Sequence, residues 1–308
     1  MKKIKDIIIN AIRGFCMALA DSVPGVSGGT IAFLLGFYDK FIGSLNDIFR
    51  GSIEKKKEAI IFLLKIGLGW AIGFCLAATV LANLFNTQIY DMSSLFIGFI
   101  VFAIPIVIHE EKDVLKNKYK NIVFLLLGIV FVVAITLLNP TNGQGGVNID
   151  VSNLNIGLVI YVFIAAMIAI SAMVLPGISG STLLLIFGLY IPIMTAIKEF
   201  LHMNFSYFPI LVVFGLGIIT GILVFVGLIK KCLTNYRSQS IYAILGMMVG
   251  SLFSIVRGPT TLSTPLPAMD FSNFSILFFI IGAVIIAGLQ ALKFVFDKKD
   301  TKKGIEEK

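Results

Sequence analysis

The stretch Pro24-Gly25-Val26-Ser27-Gly28-Gly29-Thr30 returns as Pro176-Gly177-Ile178-Ser179-Gly180-Ser181-Thr182, and each copy interrupts an otherwise apolar run. Ala20, Gly36 and Tyr38 match Ala172, Gly188 and Tyr190 at the same offset. Gly67, Gly69, Gly73 and Gly98 recur as Gly215, Gly217, Gly221 and Gly246 at an offset slightly shorter. Ordered matches at a nearly constant spacing close to half the chain define an internal repeat. The first copy is expected over residues 1–150 and the second over 151–308, together forming one integrated membrane domain.

The solvent for these repeats is the bilayer. With 57% hydrophobic and 14% charged residues and a mean hydropathy of +0.97, the chain has too few polar groups to surround a water-soluble core. Met1–Arg13 carries Lys2, Lys3, Lys5 and Arg13 without an apolar stretch leading to a cleavage site, so the first segment is expected to stay in the mature protein. Cys16, Cys75 and Cys232 stand at no metal-ligand spacing, and His109 and His202 are the only histidines. No metal or other cofactor is expected. No basic stretch interleaved with aromatics points to nucleic acid.

Apolar spans are expected at 59–85, 93–108, 122–138, 208–229, 241–256 and 274–296, three per repeat. Ahead of each trio lies a longer element, about 7–45 and 156–197, broken near its middle by the Pro-Gly motif and read as a re-entrant hairpin. The expected fold is therefore an all-α polytopic membrane protein of two inverted-topology repeats, each a broken hairpin plus three spans. Charge supports that topology. With a cytoplasmic N-terminus, the segments on that side hold Lys2, Lys3, Lys5, Arg50, Lys55–Lys57, Lys112, Lys116, Lys118, Lys120, Lys230, Lys231, Arg237 and the lysines from Lys293 onward. The opposite segments hold only Lys198 and Arg257, a positive-inside bias that also places the C-terminus in the cytoplasm. Three crossings separate the repeats, so the hairpins would enter from opposite faces. The glycines at 69 and 73, and at 217 and 221, read as close helix packing rather than phosphate loops.

At each motif, proline removes a backbone donor and glycine releases the chain from helical geometry, so Pro24, Gly25, Pro176 and Gly177 are hinge candidates. Ser27 and Ser179 stand where they can cap a following helix. Irregular backbone at membrane depth must be satisfied by protein or by a polar cavity. Helix starts and Gly/Ser-rich N–H groups favour anions. The expected ligand has an anionic head, bound by Ser27, Gly28, Gly29, Thr30, Ser179, Gly180, Ser181 and Thr182. Asp21 precedes the first motif where the second repeat has Met173; a carboxylate in that apolar setting is a candidate for carrying a proton or Na⁺, or for bracing the loop. Arg13 lies on the same helical face as Asp21, about 12 Å away. It is a candidate to bind phosphate, to balance Asp21, or to snorkel to the headgroups. Lys65 reads as a snorkelling lysine, Arg257 as a headgroup or phosphate contact, and Asp39 and Lys40 as interfacial.

Through Ala20–Thr30, Gly36-Phe37-Tyr38, Pro176–Thr182 and Gly188-Leu189-Tyr190, the chain resembles the PopT-like polyprenyl-phosphate transporter family over nearly its whole length. The resemblance implies a bacterial inner-membrane flippase returning undecaprenyl phosphate to the cytoplasmic leaflet for cell-envelope polymer synthesis. Its partners would be the polyprenyl phosphate and the bilayer, with H⁺ or Na⁺ as a coupling ion. The residues alone favour an anion carrier and leave three alternatives: a secondary transporter of a small soluble anion, a polyprenyl-diphosphate phosphatase, and a purely structural membrane protein, for which duplicated Gly/Ser breaks have no evident use. The phosphatase is disfavoured because neither loop contains Arg, His or paired Glu to meet developing charge. The oligomeric state is not legible.

Overall fold

The computed structural model describes residues 2–21, 27–76, 88–138, 155–261, 265–288 and 290, which form helices joined by short connections, with no strand among them. Among the described residues, five helices are long and apolar enough to cross a membrane: Ile89–Glu110, Tyr119–Leu138, Ile156–Val174, Phe205–Asn235 and Arg237–Thr260. Ile53–Leu76 adds 24 residues, about 36 Å of helix, and Ile276–Gly288 is a shorter apolar helix. Pro24, Gly25, the span expected to continue through residues 77–85, and most of the segment joining the two halves lie outside the described residues.

Each broken element folds as three helices. The first is Lys2–Asp21, Gly28–Leu34 and Tyr38–Arg50; the second is Ile156–Val174, Gly180–Ile186 and Tyr190–Leu201. Ile156–Val174, the first helix of the second element, is apolar throughout. Its 19 residues give about 28 Å of helix, enough to traverse the hydrocarbon core before the chain turns back. The two short middle helices end alike. Gly36 N–H donates to the Phe33 carbonyl and Phe37 N–H to that of Ala32, while Gly188 and Leu189 repeat the pattern onto Leu185 and Leu184. Both glycines have positive φ, 68° and 63°, so each short helix stops in a Schellman cap that favours glycine. This cap explains why Gly36 and Gly188 coincide in the repeat.

The packing repeats along with the sequence. A Cβ on Gly73 would lie 2.8 Å from the Phe15 carbonyl oxygen, and one on Gly221 2.6 Å from that of Met167. Phe15 and Met167 are themselves equivalent in the motif alignment, as are Ala11 and Phe163, which meet Gly69 and Gly217. Small residues here let each first helix lie backbone to backbone on the helix after its hairpin. The remaining helices interleave the halves. Gly98 faces Phe279 in Ile276–Gly288, and Gly246 faces Leu125 in Ile122–Leu138. Hydroxyls join the same neighbours: Thr136 meets Ser254, and Ser94 accepts the Ser275 N–H at 2.9 Å. Met248, Ile241, Ile255 and Ile100 fill the centre, whereas Leu64, Leu68, Leu126 and Ile276 are exposed on the periphery, as apolar surface is when lipid surrounds it.

The long second-half helix contains a π-helical turn, Ile222–Val226, between Gly221 and Gly227. A π-turn shifts the helical hydrogen-bond ladder and leaves a carbonyl for an outside donor. Arg50, at the end of the first broken element, donates to the Leu223 carbonyl at 3.0 Å, and its guanidinium fills the space beside Gly227. Lys230 reaches Asp47 at 2.8 Å one turn further on, so the first hairpin is fastened to the second half at this end.

Candidate functional site

The two motif loops meet directly. Ser27 occupies the N-cap position of Gly28–Leu34 with extended backbone, φ −129° and ψ 144°, yet its side chain makes no capping bond. Its hydroxyl instead points across the repeat boundary, 3.0 Å from the Leu175 carbonyl and 3.4 Å from that of Met173. The Tyr38 hydroxyl donates to the Val174 carbonyl at 3.2 Å. Carbonyls at the end of Ile156–Val174 lack helical partners, and the first motif supplies donors for them. In return Gly177 N–H donates to Thr30 Oγ1 at 2.8 Å. Gly177 has φ +90°, and a Cβ there would lie 2.6 Å from the Met247 carbonyl group. Glycine is thus required both by its backbone and by the close approach.

Asp21 ties the end of its helix to the start of Gly28–Leu34. Its carboxylate accepts the Gly28 N–H at 2.7 Å and the indole N–H of Trp70, the single tryptophan, at 3.1 Å. Trp70 in turn stacks on Phe74 with ring centroids 5.0 Å apart. The Gly28 N–H expected for an anionic ligand is therefore occupied by the protein's own carboxylate.

Ser27, Gly28, Gly29, Thr30, Ser179, Gly180 and Thr182 are all buried, and the side chain of Ser181 lies outside the described residues. Ser179 sits at the N-cap of Gly180–Ile186, again without a side-chain capping bond. Arg13 stands two turns before Asp21 on the same helix, Lys2–Asp21. Its guanidinium donates to Asn10 at 3.1 Å and lies 4.9 Å from the Phe37 ring centroid.

Beside the interlocked loops runs an apolar cavity of about 870 Å³. Leu175, Ile178, Leu183 and Tyr38 line its loop end, and Leu228, Cys232, Tyr236 and Gln239 line the end near the start of Arg237–Arg257. A smaller polar cleft of about 120 Å³ adjoins it at Tyr38, which borders both spaces. There Arg237 makes a two-point contact with Glu111, at 2.5 and 3.2 Å, and reaches Asp39 at 2.8 Å. This one guanidinium holds together the start of Tyr38–Arg50, the end of Ile89–Glu110 and the start of Arg237–Arg257. Sequence reasoning used Arg237 only as a topological charge and Asp39 only as an interfacial residue. Tyr38 carried a usable signal, its repetition as Tyr190; the Arg237 triad had none, since its members come from three distant segments.

Paired broken helices, interlocked across a repeat and bordering an apolar cavity, make this a multi-pass membrane protein of the transporter class. The chain belongs to the family described as undecaprenyl phosphate translocase-like, which it matches over residues 17–273. A polyprenyl-phosphate transporter of Staphylococcus aureus is 37% identical over 282 residues, covering 90% of this chain and 94% of the relative. A polyprenyl-phosphate transporter of Vibrio cholerae is 31% identical over 262 residues, covering 82% of this chain and 78% of the relative. No solved structure matches.

Proposed function

We propose that this protein moves a polyprenyl phosphate from the outer to the cytoplasmic leaflet of a bacterial inner membrane, returning the carrier for envelope-polymer synthesis. The observation that carries this reading is the apolar cavity starting at the paired motif loops. An isoprenoid chain needs an unbroken apolar wall, and its phosphate needs N–H and hydroxyl donors at one end of it. A small soluble anion has no use for a wall of Leu175, Ile178, Leu183 and Leu228. In this reading the loops are in a closed state, and the phosphate competes with Asp21 for the Gly28 N–H and with the Leu175 carbonyl for Ser27.

The two repeats, residues 1–150 and 151–308, act as inverted halves with both termini cytoplasmic. An anion moving inward opposes an inside-negative potential by roughly 2.3 kcal/mol per charge per 100 mV. Asp21 is the coupling residue: taking up H⁺ or Na⁺ weakens its hold on Gly28 and frees that N–H for phosphate. Proteoliposomes containing the purified chain test the function. Movement of labelled undecaprenyl phosphate between leaflets, without release of inorganic phosphate and without uptake of soluble phosphate, is the expected result. Uptake of soluble phosphate alone would make the protein a small-anion carrier, and phosphate release would make it a phosphatase.

A further inference from the structure

The apolar cavity is walled unevenly. Ile178, Leu183, Ile244 and Met247 line its inner side and are buried, none more than 6% exposed. Phe124, Phe131, Ile168 and Leu228 also line it, yet they are 39%, 50%, 37% and 54% exposed. These four form a rim at the protein's outer surface.

The rim comes from helices that lean on different partners. Ile122–Leu138 rests on Arg237–Arg257, where Gly128 lies against the Ala243 backbone and Gly246 against that of Leu125. Ile156–Val174 rests instead on Phe208–Gly221, with Gly217 at Phe163 and Gly221 at Met167. Leu228 follows in Gly227–Asn235. The two helices are thus held apart, and the gap between them is floored by Ile244 and Met247. Phe124, Phe131 and Ile135 recur at helical spacing and turn one face of Ile122–Leu138 to the cavity. Leu126, exposed on the same helix about half a turn round, does not line it.

Size and solvation decide how much of a lipid such a space can hold. At about 870 Å³ the cavity lies within the range of roughly 300–1,000 Å³ that encloses a drug-sized ligand. An undecaprenyl chain exceeds such a ligand, so its far units have to lie elsewhere, and the rim leads to the lipid-facing surface. Nothing draws those units inward. Lipid tails are as apolar as leucine, so a prenyl unit moving from bilayer to cavity exchanges one hydrocarbon surrounding for another.

We infer that the gap between Ile122–Leu138 and Ile156–Val174 is a lateral portal for an isoprenoid chain, whose units nearest the phosphate occupy the cavity while the rest stay in the bilayer. The protein then accepts prenyl phosphates without measuring their length, and recognition falls on the phosphate at the loops. The inference rests on the proposed transport of a lipid phosphate and deepens it by defining the class of chain the site takes.

Photocrosslinking in the full-length protein, reconstituted in vesicles of phosphatidylethanolamine and phosphatidylglycerol, tests the portal with labelled undecaprenyl phosphate. Phe131→p-benzoylphenylalanine is expected to capture the lipid at least fivefold more efficiently than Leu126→p-benzoylphenylalanine. Unlabelled undecaprenyl phosphate, heptaprenyl phosphate, and undecaprenyl phosphate with a bulky fluorophore on its last unit should each suppress that capture, with potencies within about threefold of one another. Added phosphatidylglycerol or inorganic phosphate should not. In wild type the same three prenyl phosphates should exchange between leaflets at rates within about threefold. Equal capture at both positions, or suppression by phosphatidylglycerol, would make the gap an ordinary lipid crevice. Rejection of the shorter chain or of the terminal fluorophore would mean that the chain is wholly enclosed. Either result overturns the portal, while exchange of undecaprenyl phosphate by wild type leaves transport standing; no exchange of any lipid phosphate overturns both readings.

Discussion

Thr30 Oγ1 accepts the backbone N–H of Gly177 at 2.8 Å, joining the two copies of the motif at atoms well separated in the chain. Both groups are buried, so neither can turn to water when the bond is lost. Thr30→Val keeps the shape and removes the acceptor, leaving the Gly177 N–H unsatisfied at a cost of about 1–3 kcal/mol. Thermal unfolding in detergent should show a lower midpoint for Thr30→Val than for Thr30→Ser, which retains the hydroxyl. Equal midpoints would mean that the contact contributes nothing to closure.

Asp21 holds Gly28 and Trp70 together, which gives the proposed coupling residue an optical reporter. Asp21→Asn preserves one acceptor and removes the charge. The variant is expected to stay folded, to shift the emission of Trp70, and to lose the dependence of transport on imposed H⁺ or Na⁺ gradients. Normal transport with unchanged gradient dependence would remove Asp21 from the coupling scheme.

Arg237 pairs with Glu111 and Asp39 in the polar cleft that adjoins the apolar cavity at Tyr38, where loss of the pairing is expected to loosen access to the cavity. Since Arg237 is over a third exposed, the network is worth no more than about 1 kcal/mol, or roughly fivefold in opening. Cys232 lines the cavity just inside. In a background with Cys16 and Cys75 replaced by serine, Arg237→Gln should raise maleimide labelling of Cys232 up to about fivefold. An unchanged rate would show that the triad does not gate the cavity.

Gly69 and Gly217 occupy matching places against the backbones of Ala11 and Phe163. A valine at either cannot be accommodated by side-chain rotation, because the obstruction is a carbonyl oxygen. Gly69→Val and Gly217→Val should each cost at least about 1–3 kcal/mol through overpacking and reduce the yield of folded protein. Gly67→Val should be tolerated, since a Cβ there meets nothing within 4 Å. Equal damage from all three would contradict the repeated packing.

What the sequence revealed followed local rules. Pro176 and Gly177 stand between the helices Ile156–Val174 and Gly180–Ile186, small residues marked the close crossings, and apolar length marked the spans. The helix end at Val174 falls just before Pro176, where those rules put it, whereas the caps at Gly36 and Gly188 were visible only as a coincidence of the repeat. The partner of each polar side chain was not legible. Ser27 reads locally as a helix cap, but its hydroxyl turns to Leu175 because unpaired carbonyls at the end of a distant helix compete for it. Asp21 could be weighed as a carrier or a brace; only the fold brings Trp70 and Gly28 to it. Likewise the Arg237 triad depends on three elements meeting, which no spacing along the chain encodes.

The central claim, that a lipid phosphate crosses at the paired loops, is tested most directly by leaflet exchange of labelled undecaprenyl phosphate in proteoliposomes. Wild type would be compared with Ser27→Ala/Ser179→Ala under imposed H⁺ and Na⁺ gradients. The account predicts exchange by wild type that responds to one gradient, and a loss of at least tenfold in the double variant while it remains folded. Exchange that is unaffected in the double variant, or absent from wild type under every gradient, would contradict it.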